Sequence, residues 1–346
     1  MNRESDVSAW VTAADVARRA GVSRSAVSRT FTPGASVSKK TRERVLAAAA
    51  DLDYRVNMLA RSVIQQQSNL IGVVVSGFDS PFIPLIVGPL MRFLAERSLA
   101  PLLMDSGSPA DMKESLQRLL HYRVAAAILT SGSPPLDLAR EYARLRIPVA
   151  LINRGTRLEG VDVVTSDNWR GGAIAAECLI RSGARRLAYV NRPTGTYAGR
   201  ARSAGFCRAV AAARLTNVRL ELIEADDAGY EGGAGAARRL FDRPPELRPD
   251  GVFCSTDVTA FGLLDTARYE FSLRVPADLQ VVGFDDIPMA AASSYDLTTI
   301  RQDTSRLAFE AVKRLAERIA DPDLSPRSRK IPVTLVERGT TARKRA

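Results

Sequence analysis

The stretch VTAADVARRAGVSRSAVSRTF, residues 11–31, is the most informative part of the N-terminal sequence. It predicts two short helices separated at Gly21, because glycine adopts the left-handed conformation that commonly ends a helix. Thr12 and Ser23 are expected to cap the two helices, since a hydroxyl can accept a hydrogen bond from a free amide of the first turn. A third helical pattern, SKKTRERVLAAAADLDY, begins at Ser38. Three helices with no strand between them predict a small bundle.

The small and apolar residues of this stretch have the spacing of a helix-turn-helix. Such a pair needs a small residue where the helices cross, a glycine in the turn and an apolar anchor in the second helix. Ala17, Gly21 and Val27 meet these needs. The shared core is then expected to contain Val16, Ala20 and Val22. Any tight pair of helices can produce the same pattern, so a purely structural role remains an alternative.

The polar residues of the second helix fall on its other side. Arg24, Ser25, Ser28 and Arg29 are expected to project outwards. A helix of this kind fits the major groove of duplex DNA, where its N-terminal residues meet base edges. Arginine can bind guanine through two hydrogen bonds, and serine hydroxyls can bind phosphate oxygens. The pattern therefore favours a DNA-binding surface.

The composition also favours a polyanionic partner. The chain of 346 residues contains 49 Lys and Arg against 38 Asp and Glu, a formal net charge of +11. Such a charge attracts nucleic acid first and anionic membrane surfaces second, although a merely arginine-rich surface would give the same sum. The length predicts two or three domains, each able to bury a core.

Cysteine and histidine usage disfavours several other classes of protein. Cys178, Cys207 and Cys254 are widely spaced, which predicts buried, reduced thiols rather than a disulfide framework or a zinc site. The single histidine, His121, is expected at a helix end and disfavours His-dependent catalysis. The N-terminus MNRESDVSAW lacks the apolar run of a signal peptide, and no segment is long enough to span a bilayer. We therefore expect a cytoplasmic protein without a membrane partner.

From Leu70 onward, apolar strand-like runs alternate with amphipathic helical segments. Apolar strands separated by helices are typical of parallel sheets covered on both faces. Their number favours two doubly wound lobes with a cleft between them, where ligands bind at the carboxyl ends of the strands. The fold class is therefore α/β, preceded by the three-helix unit. The predicted strands are 70–75, 100–105, 125–130, 148–153, 161–165, 186–191, 219–225, 251–255 and 279–285, and the predicted helices include 83–98, 111–122, 170–182, 202–213 and 304–320.

The N-terminal stretch, continued through VSKKTRERVLAAAADLDYRVNMLARSV, closely resembles the DNA-binding unit of the lactose-repressor (LacI/GalR) family of bacterial transcription regulators. The resemblance continues through LIGVVVSGFDSPF, IPVALINR, SDNWRGGAIAAECLIRSGARRLAYV, RARSAGF, STDVTAFGLLDTARYEFSLRVPADLQVVGFDD, LTTIRQD and LVERGTT. It implies a two-lobed, periplasmic-binding-protein-like domain behind a helix-turn-helix headpiece. The expected segments are a headpiece at 11–56, a hinge helix and linker at 57–69, and an effector-binding and dimerisation domain at 70–341, with lobe 1 at about 70–165 plus 300–330 and lobe 2 at about 166–299 plus the C-terminal segment.

The resemblance implies roles for individual residues of the headpiece and hinge. Arg24, Ser25 and Arg29 match positions that read bases. Residues 57–63 match a hinge helix that enters the minor groove at the centre of a palindrome, with Ala60 and Val63 at the groove. Val63 stands where the family usually has leucine, and an inert linker residue is the alternative. The positions that hold the DNA backbone are matched by Thr12, Ser23, Ser28, Ser38, Thr41, Tyr54 and Asn57.

For the cleft, the resemblance implies a small effector, most often a sugar or a sugar derivative. Arg202 matches an arginine that binds ligand hydroxyls or carboxylates, Asp285 matches an acid that binds the opposing hydroxyls, and Tyr230 lies near an aromatic stacking position. The acids have alternative roles as helix caps or as salt bridges between the lobes. The further candidates are Asp79, Asn153, Thr256, Asp257 and Gln302.

Several positions depart from the family pattern and leave the effector's identity open. Cys178 and Ala184 stand where histidine is frequent, and Thr256 precedes an acid that usually follows asparagine. The string GGAGAARR, residues 232–239, resembles a dinucleotide-binding glycine motif. It follows acids and Tyr230 rather than a strand, so helix packing is the better interpretation.

These observations predict a sequence-specific transcriptional regulator, a repressor, which binds a pseudo-palindromic operator in double-stranded DNA as a homodimer under the control of an effector. No cofactor, metal site or enzymatic activity is expected, because the sequence contains no G-x-S-x-G elbow, no phosphate loop and no plausible histidine base. The alternatives are a soluble small-molecule-binding protein, which predicts an export signal and no headpiece, and an enzyme on the same two-lobed scaffold. The absence of a heptad segment near LVERGTTARKRA favours a dimer over a tetramer.

Overall fold

The computed structural model describes residues 10–32, 34–56, 68–78, 80–107, 109–130, 135–155, 160–192, 196–213 and 218–342. The chain forms two compact units, which divide between Ser68 and Asn69. Most of the predicted hinge lies outside the described residues. So do four of the predicted site residues, Asn57, Ala60, Val63 and Asp79.

In the part of the first unit that the structure describes, three helices pack together. They are α1 (Ala13–Ala20), α2 (Arg24–Thr30) and α3 (Lys39–Asp51). Gly21 follows α1 with a φ of 61°, in the left-handed region, as predicted. The predicted core is confirmed for Val16, Ala17, Ala20 and Val27, and α3 adds Val45, Ala48 and Ala49, while Val22 is partly buried against them.

The predicted helix caps of this unit are confirmed. Thr12 forms a capping box with Asp15, because its hydroxyl accepts from the Asp15 amide and the Asp15 carboxylate accepts from the Thr12 amide. Ser23 accepts from the Ala26 amide at 3.2 Å, and Ser38 accepts from the Thr41 amide at 3.2 Å. Each cap replaces water on a free amide and stabilises its helix by about 1 kcal/mol.

The second unit contains two lobes, each with a six-stranded sheet among the described residues. The strands of lobe 1 are β1 (Leu70–Val75), β2 (Ala100–Asp105), β3 (Ala126–Leu129), β4 (Val149–Ile152), β5 (Val161–Ser166) and β11 (Ser328–Ile331), in the order β11-β5-β4-β3-β1-β2. All of these strands pair in parallel. The helices of lobe 1 are α4 (Phe82–Ala95), α5 (Pro109–His121), α6 (Leu136–Arg144) and α11 (Thr304–Ala320). Helices α4 and α11 cover one face of this sheet, and α5 and α6 cover the other.

Lobe 2 repeats this architecture with one antiparallel pair. Its strands are β6 (Arg186–Asn191), β7 (Arg219–Glu224), β8 (Gly251–Cys254), β9 (Gln280–Asp285), β10 (Thr298–Gln302) and β12 (Val333–Val336), in the order β12-β10-β9-β8-β6-β7. Only β12, which runs antiparallel to β10, departs from parallel pairing within this sheet. Its helices are α7 (Asn168–Arg181), α8 (Tyr197–Ala212), α9 (Tyr230–Phe241) and α10 (Asp257–Tyr269). Both faces of the sheet are again covered, by α7 and α8 on one side and by α9 and α10 on the other.

The nine predicted strands are all present, and the sequence analysis missed β10, β11 and β12. The missed strands are short and mix polar with apolar residues, as in SRKI, so they lack the continuous apolar run that identified the others. The predicted lobe division between residues 299 and 300 falls inside β10, which pairs with β9 along its length and lies wholly in the sheet of lobe 2. The chain passes between the lobes after β5, after β10 and after β11.

Other predicted residues of this unit have mixed outcomes. His121 ends α5 and is exposed, as predicted. Cys178 and Cys254 are buried, as predicted, but Cys207 is only half-buried. The GGAGAARR string lies within α9 and packs against α10, as predicted, since a Cβ at Gly233 would lie 2.0 Å from the carbonyl oxygen of Thr259. No helix among the described residues has the length and apolar character needed to cross a membrane.

Candidate functional site

The first candidate site is the exposed side of α2 in the first unit. Ala26, Val27 and Thr30 are buried against the bundle, so the remaining residues of the helix face outwards. We call the exposed residues the α2 face: Arg24, Ser25, Ser28 and Arg29. The predicted outward projection of these four residues is observed. The face carries two guanidinium groups and no acid, so it can bind anions and hydrogen-bond acceptors.

The two arginines of the α2 face make few contacts with other groups of the protein. The Arg29 Nε–H donates to the Ser25 carbonyl of the same helix at 3.4 Å, which is a long hydrogen bond. The hydroxyl groups of Ser25 and Ser23 lie 2.9 Å apart. Among the described residues, Arg24 forms no ion pair. These side chains can therefore meet an external partner without breaking strong internal contacts.

Three of the hydroxyl groups that are predicted to bind the DNA backbone form helix caps in this structure. Thr12, Ser23 and Ser38 each orient the first turn of a helix, whose remaining amides point towards solvent. The Ser38 hydroxyl also donates to the Thr41 hydroxyl at 2.8 Å. Tyr54 packs its ring 5.6 Å from that of Phe31, and burial raises the pKa of its phenol, which keeps it neutral. Thr12, Ser23 and Ser38 thus place hydroxyl groups and free amides at the amino-terminal ends of the three helices.

Two arginines of α3 hold this arrangement in place, and the sequence analysis did not identify them. Arg42 donates to the carbonyl oxygen of Thr30, at the end of α2, at 2.9 Å. Arg44 donates to the carbonyl oxygens of Ala20 and Gly21, at the turn. Both arginines satisfy carbonyl groups left free at helix ends. They fix the angle at which α2 is presented.

The second candidate site is a polar cluster at the carboxyl ends of strands from both lobes. Gln302, at the end of β10, donates through Nε2 to Asp285 Oδ1 at 2.6 Å. Its Oε1 accepts from Asn153 Nδ2 at 2.7 Å and from the Ser166 hydroxyl at 2.6 Å, and both of these residues belong to lobe 1. We call this group, with the two residues described next, the interlobe cluster: Asn153, Ser166, Asn168, Arg202, Asp285 and Gln302. Gln302 thus connects the two lobes.

Arg202 lies in lobe 2 at the other end of the cluster. Its Nε donates to Asn168 Oδ1 at 2.8 Å, one Nη donates to the Ser255 carbonyl, and its guanidinium carbon lies 3.5 Å from the centre of the Phe284 ring. The other Nη lies 3.8 Å from Asp285 Oδ1, an ion pair but not a close hydrogen bond.

The position of Arg202 follows from two glycines. A Cβ at Gly172 on α7 would lie 2.0 Å from the carbonyl oxygen of Arg202, and one at Gly205 would lie 1.9 Å from the carbonyl oxygen of Trp169. Only glycine allows α7 and α8 to cross this closely. The crossing brings Arg202 on α8 against Asn168, the first residue of α7.

Burial dominates the electrostatics of the cluster. Burial raises the pKa of Asp285, while the Arg202 charge acts in the opposite direction. Burial also lowers the pKa of Arg202, and Asp285 opposes this change. Asp285 further has a φ of 124°, which a residue with a side chain rarely adopts. Strained backbone of this kind persists where the surrounding structure holds it, commonly at binding sites.

Three predicted effector residues are not part of this cluster. Asp257 is fully buried and accepts from the Ile287 amide at 2.9 Å and from the Thr299 hydroxyl, so it joins α10 to β10. Burial and the nearby Asp285 charge raise the pKa of Asp257. Thr256 caps α10. Tyr230 donates its hydroxyl to Asp265 of α10 at 2.9 Å. Among the described residues, the carboxylate of Asp257 therefore joins elements within lobe 2, and it forms neither a helix cap nor a salt bridge between the lobes.

The structure adds Ser166 and Asn168 to the residues that the sequence analysis selected. Both belong to the sequence SDN, which begins at the end of β5 and continues into α7. The rule that ligands bind at the carboxyl ends of parallel strands would have identified them. Asp79 lies outside the described residues, so its relation to the cluster is not described.

Comparisons with known proteins agree with this architecture. Residues 12–57 match the family described as bacterial regulatory proteins, lacI family, and residues 176–341 match the periplasmic binding protein-like domain. The ribose operon repressor of Escherichia coli (strain K12) is 31% identical over 330 residues, covering 94% of this chain and 98% of the relative. The transcriptional repressor PurR of Proteus mirabilis (strain HI4320) is 30% identical over 333 residues, covering 95% and 96%.

Solved structures of regulatory proteins are also similar to this chain. The lac repressor dimer bound to operator and the anti-inducer ONPF matches with a TM-score of 0.85 at 26% identity, covering 97% of this chain and 100% of that one. A LacI family transcriptional regulator from Enterococcus faecium with bound ribose matches with a TM-score of 0.71 at 25% identity, covering 79% and 98%. The similarity therefore extends over both units of the chain.

Proposed function

Because the chain belongs to the lacI family of bacterial regulatory proteins, we propose that it is a DNA-binding transcriptional repressor controlled by a small effector. The protein binds an operator through the first unit and the effector between the two lobes of the second. The relatives described above are named as repressors, of the ribose operon in one case. The proposal assigns no catalytic step to the chain.

The observation that carries the DNA-binding role is the α2 face. A short helix, held at a fixed angle by a buried core and by Arg42, presents Arg24 and Arg29 with few competing contacts. Guanidinium groups at such positions bind guanine O6 and N7 in the major groove, each good pair contributing about 1–3 kcal/mol of discrimination. We assign base reading to Arg24, Ser25 and Arg29.

Backbone binding is assigned to the hydroxyls and amides around this helix. Thr12, Ser23 and Ser38 cap helices whose amino-terminal ends carry partial positive charge. Phosphate groups bind at such ends because free amides and the helix dipole both favour anions. Ser28, Thr41 and Tyr54 complete the described part of this set, and these contacts fix the register in which α2 enters the groove.

The effector role is assigned to the interlobe cluster. Asn153 and Ser166 of lobe 1 bind Gln302 of lobe 2, so a ligand that replaces either bond changes a contact between the lobes. By linkage, such a ligand alters operator affinity only as far as it prefers one arrangement of the lobes. A sugar or a sugar derivative suits the cluster, since amides, a carboxyl group and a guanidinium group bind hydroxyl oxygens. We propose that the repressor acts as a homodimer on an operator of inverted-repeat form.

The test is selection of duplex DNA by the purified full-length protein, followed by fluorescence anisotropy with the selected duplex. We expect enrichment of an inverted repeat, and weaker binding when one half-site is scrambled. Addition of sugars and sugar derivatives during the titration, after a thermal-shift screen, is expected to change the affinity for the selected duplex. Enrichment of no sequence over random competitor, with and without these compounds, would contradict the proposed function.

A further inference from the structure

Arg154, an arginine beside the interlobe cluster, has a buried hydrogen-bond donor without a partner among the described residues. Arg154 directly follows Asn153 of the cluster. Its Nε is shielded from solvent and has no hydrogen-bond partner among the described residues. A buried cationic donor without a partner costs free energy, because it has lost water and gained nothing in return. Its environment therefore favours an acceptor, above all a negatively charged one.

The segment that carries this arginine lies against lobe 2. A Cβ at Gly155 would lie 2.2 Å from ring atoms of Tyr197, the first residue of α8. Lobe 1 thus contacts the first turn of α8 immediately after Arg154. This turn is capped by Thr196 and contains no acidic residue. Its amides and the helix dipole add partial positive charge beside the guanidinium group.

A second arginine lies near the first. Arg192 follows β6, and its amide donates to the Asn191 side chain at 3.0 Å, which places it at the carboxyl edge of the lobe 2 sheet. Burial lowers the pKa of Arg154, and the charge of Arg192 lowers it further. Within the part of the chain that the structure describes, neither arginine forms an ion pair with an acid. Arg154 and Arg192 therefore lie within electrostatic range of each other, and neither is neutralised by an acid among the described residues.

The nearby acid does not compensate for them. Asp285 lies 3.8 Å from the Arg202 guanidinium and accepts from Gln302. Burial disfavours ionisation of this carboxyl group, which faces Arg202 and lies within the electrostatic range of Arg192. A second buried acid, Asp257, also acts on Arg202, and burial raises its pKa as well. Arg154, Arg192 and Arg202 leave the described part of the cleft with an excess of positive charge.

We propose that the effector carries an oxyanion group, a carboxylate or a phosphate, which Arg154 and Arg192 bind at the first turn of α8. This inference rests on the proposed function, since it concerns the same effector site. The polyhydroxyl part of the ligand lies towards Asp285 and Gln302, and its anionic group lies towards the two arginines. Sugar acids and sugar phosphates have this combination of groups. Guanidinium groups bind either anion through paired, charge-assisted hydrogen bonds.

The first experiment uses inorganic phosphate as the probe and the full-length protein. Thermal unfolding is followed while phosphate replaces chloride at constant ionic strength. We expect phosphate to raise the Tm of the wild type, and Arg154→Gln and Arg192→Gln to weaken this binding by about tenfold each. Arg208→Gln is the matched control, because Arg208 is an exposed arginine on α8. An equal rise in the wild type, both variants and the control would overturn the inference.

The second experiment identifies the source of the anion. Ribose 5-phosphate, gluconate and neutral ribose are compared by calorimetric titration of the wild type and of Arg192→Gln. Tighter binding of either anion than of ribose, with the advantage lost in the variant, supports the proposal, and the stronger anion identifies the group. Ribose binding as tightly as both anions, or an advantage retained in the variant, overturns it.

The outcomes separate this inference from the proposed function. Selection of an inverted repeat by the wild-type protein decides the DNA-binding role and does not depend on the ligand's charge. If selection succeeds and the variants respond to phosphate as the wild type does, only the anionic character of the effector is wrong. If selection fails while the phosphate response depends on Arg154 and Arg192, the cleft binds an anion in a protein with another role.

Discussion

The α2 face and the interlobe cluster differ in what their polar groups already bind. On the α2 face, Arg24 and Arg29 make few contacts with the rest of the protein. In the interlobe cluster, Gln302 alone makes three side-chain hydrogen bonds, and Arg202 is held by Asn168 and by the Ser255 carbonyl. One site is exposed and preorganised, and the other is buried and internally satisfied.

This difference suits two different tasks. A partner can bind the α2 face at little internal cost, so affinity depends on how well the partner matches a rigid surface. A ligand that binds in the interlobe cluster must exchange bonds that now join the lobes. Such an exchange favours one arrangement of the lobes over another, which is the requirement for regulation.

The largest effect is expected for Arg202→Ala, measured on effector binding by titration calorimetry. The substitution removes the cation that faces Asp285 and is expected to weaken binding by about 2–5 kcal/mol, as for other buried, hydrogen-bonded charges. Arg208→Ala, an exposed residue of the same helix, is the control and should retain the affinity. A cooperative unfolding transition shows that the variant is folded. Wild-type affinity in a folded Arg202→Ala variant would remove this residue from the site.

The next effect concerns stability rather than binding. Asp257→Ala leaves the Ile287 amide and the Thr299 hydroxyl without an acceptor in the core. We expect the free energy of unfolding of the second unit, measured in urea, to fall by about 2–4 kcal/mol. Each buried donor is then left without an acceptor and without water. Asp242→Ala, at an exposed acid after α9, is expected to change this value little. An equally small effect at Asp257 would restore it as a candidate for ligand binding.

Arg29→Ala tests the α2 face. We expect a loss of about 1–3 kcal/mol of operator binding, concentrated at one base-pair position, together with a relaxed preference there. The measurement is anisotropy with a set of duplexes that differ at single positions. Uniform weakening at every sequence would show that Arg29 binds the phosphate backbone and not a base.

The smallest effect is expected at a cap of the same unit. Ser23→Ala removes the acceptor for the Ala26 amide and should cost about 1 kcal/mol of headpiece stability. Ser36→Ala, at an exposed serine outside the helices, serves as the comparison. Thermal unfolding of the two variants side by side measures the difference. If both variants unfold at the same temperature, the hydroxyl of Ser23 is free for another partner.

Much of the fold could be predicted because local signals agree with one another. The caps at Thr12, Ser23 and Ser38 mark helix starts through chemistry within three residues, and continuous apolar runs mark buried parallel strands. The missed strands β10, β11 and β12 are short and interrupted by polar residues, as in TTIRQ of β10 and SRKI of β11. Their pairing depends on neighbours far along the chain, which no local pattern reveals.

The candidate sites also differ in how far the sequence predicts them. Helical periodicity predicts the α2 face from the sequence, because it places four polar residues on the exposed side of one short helix. The roles of Asp257 and Asp285 could not be predicted from the sequence, because they depend on the groups that pack against each acid. Asp257 joins α10 to β10, while Asp285 faces Arg202. The tertiary structure also brings Gly155, which follows Arg154 in lobe 1, to the first turn of α8, because the chain passes three times between the lobes.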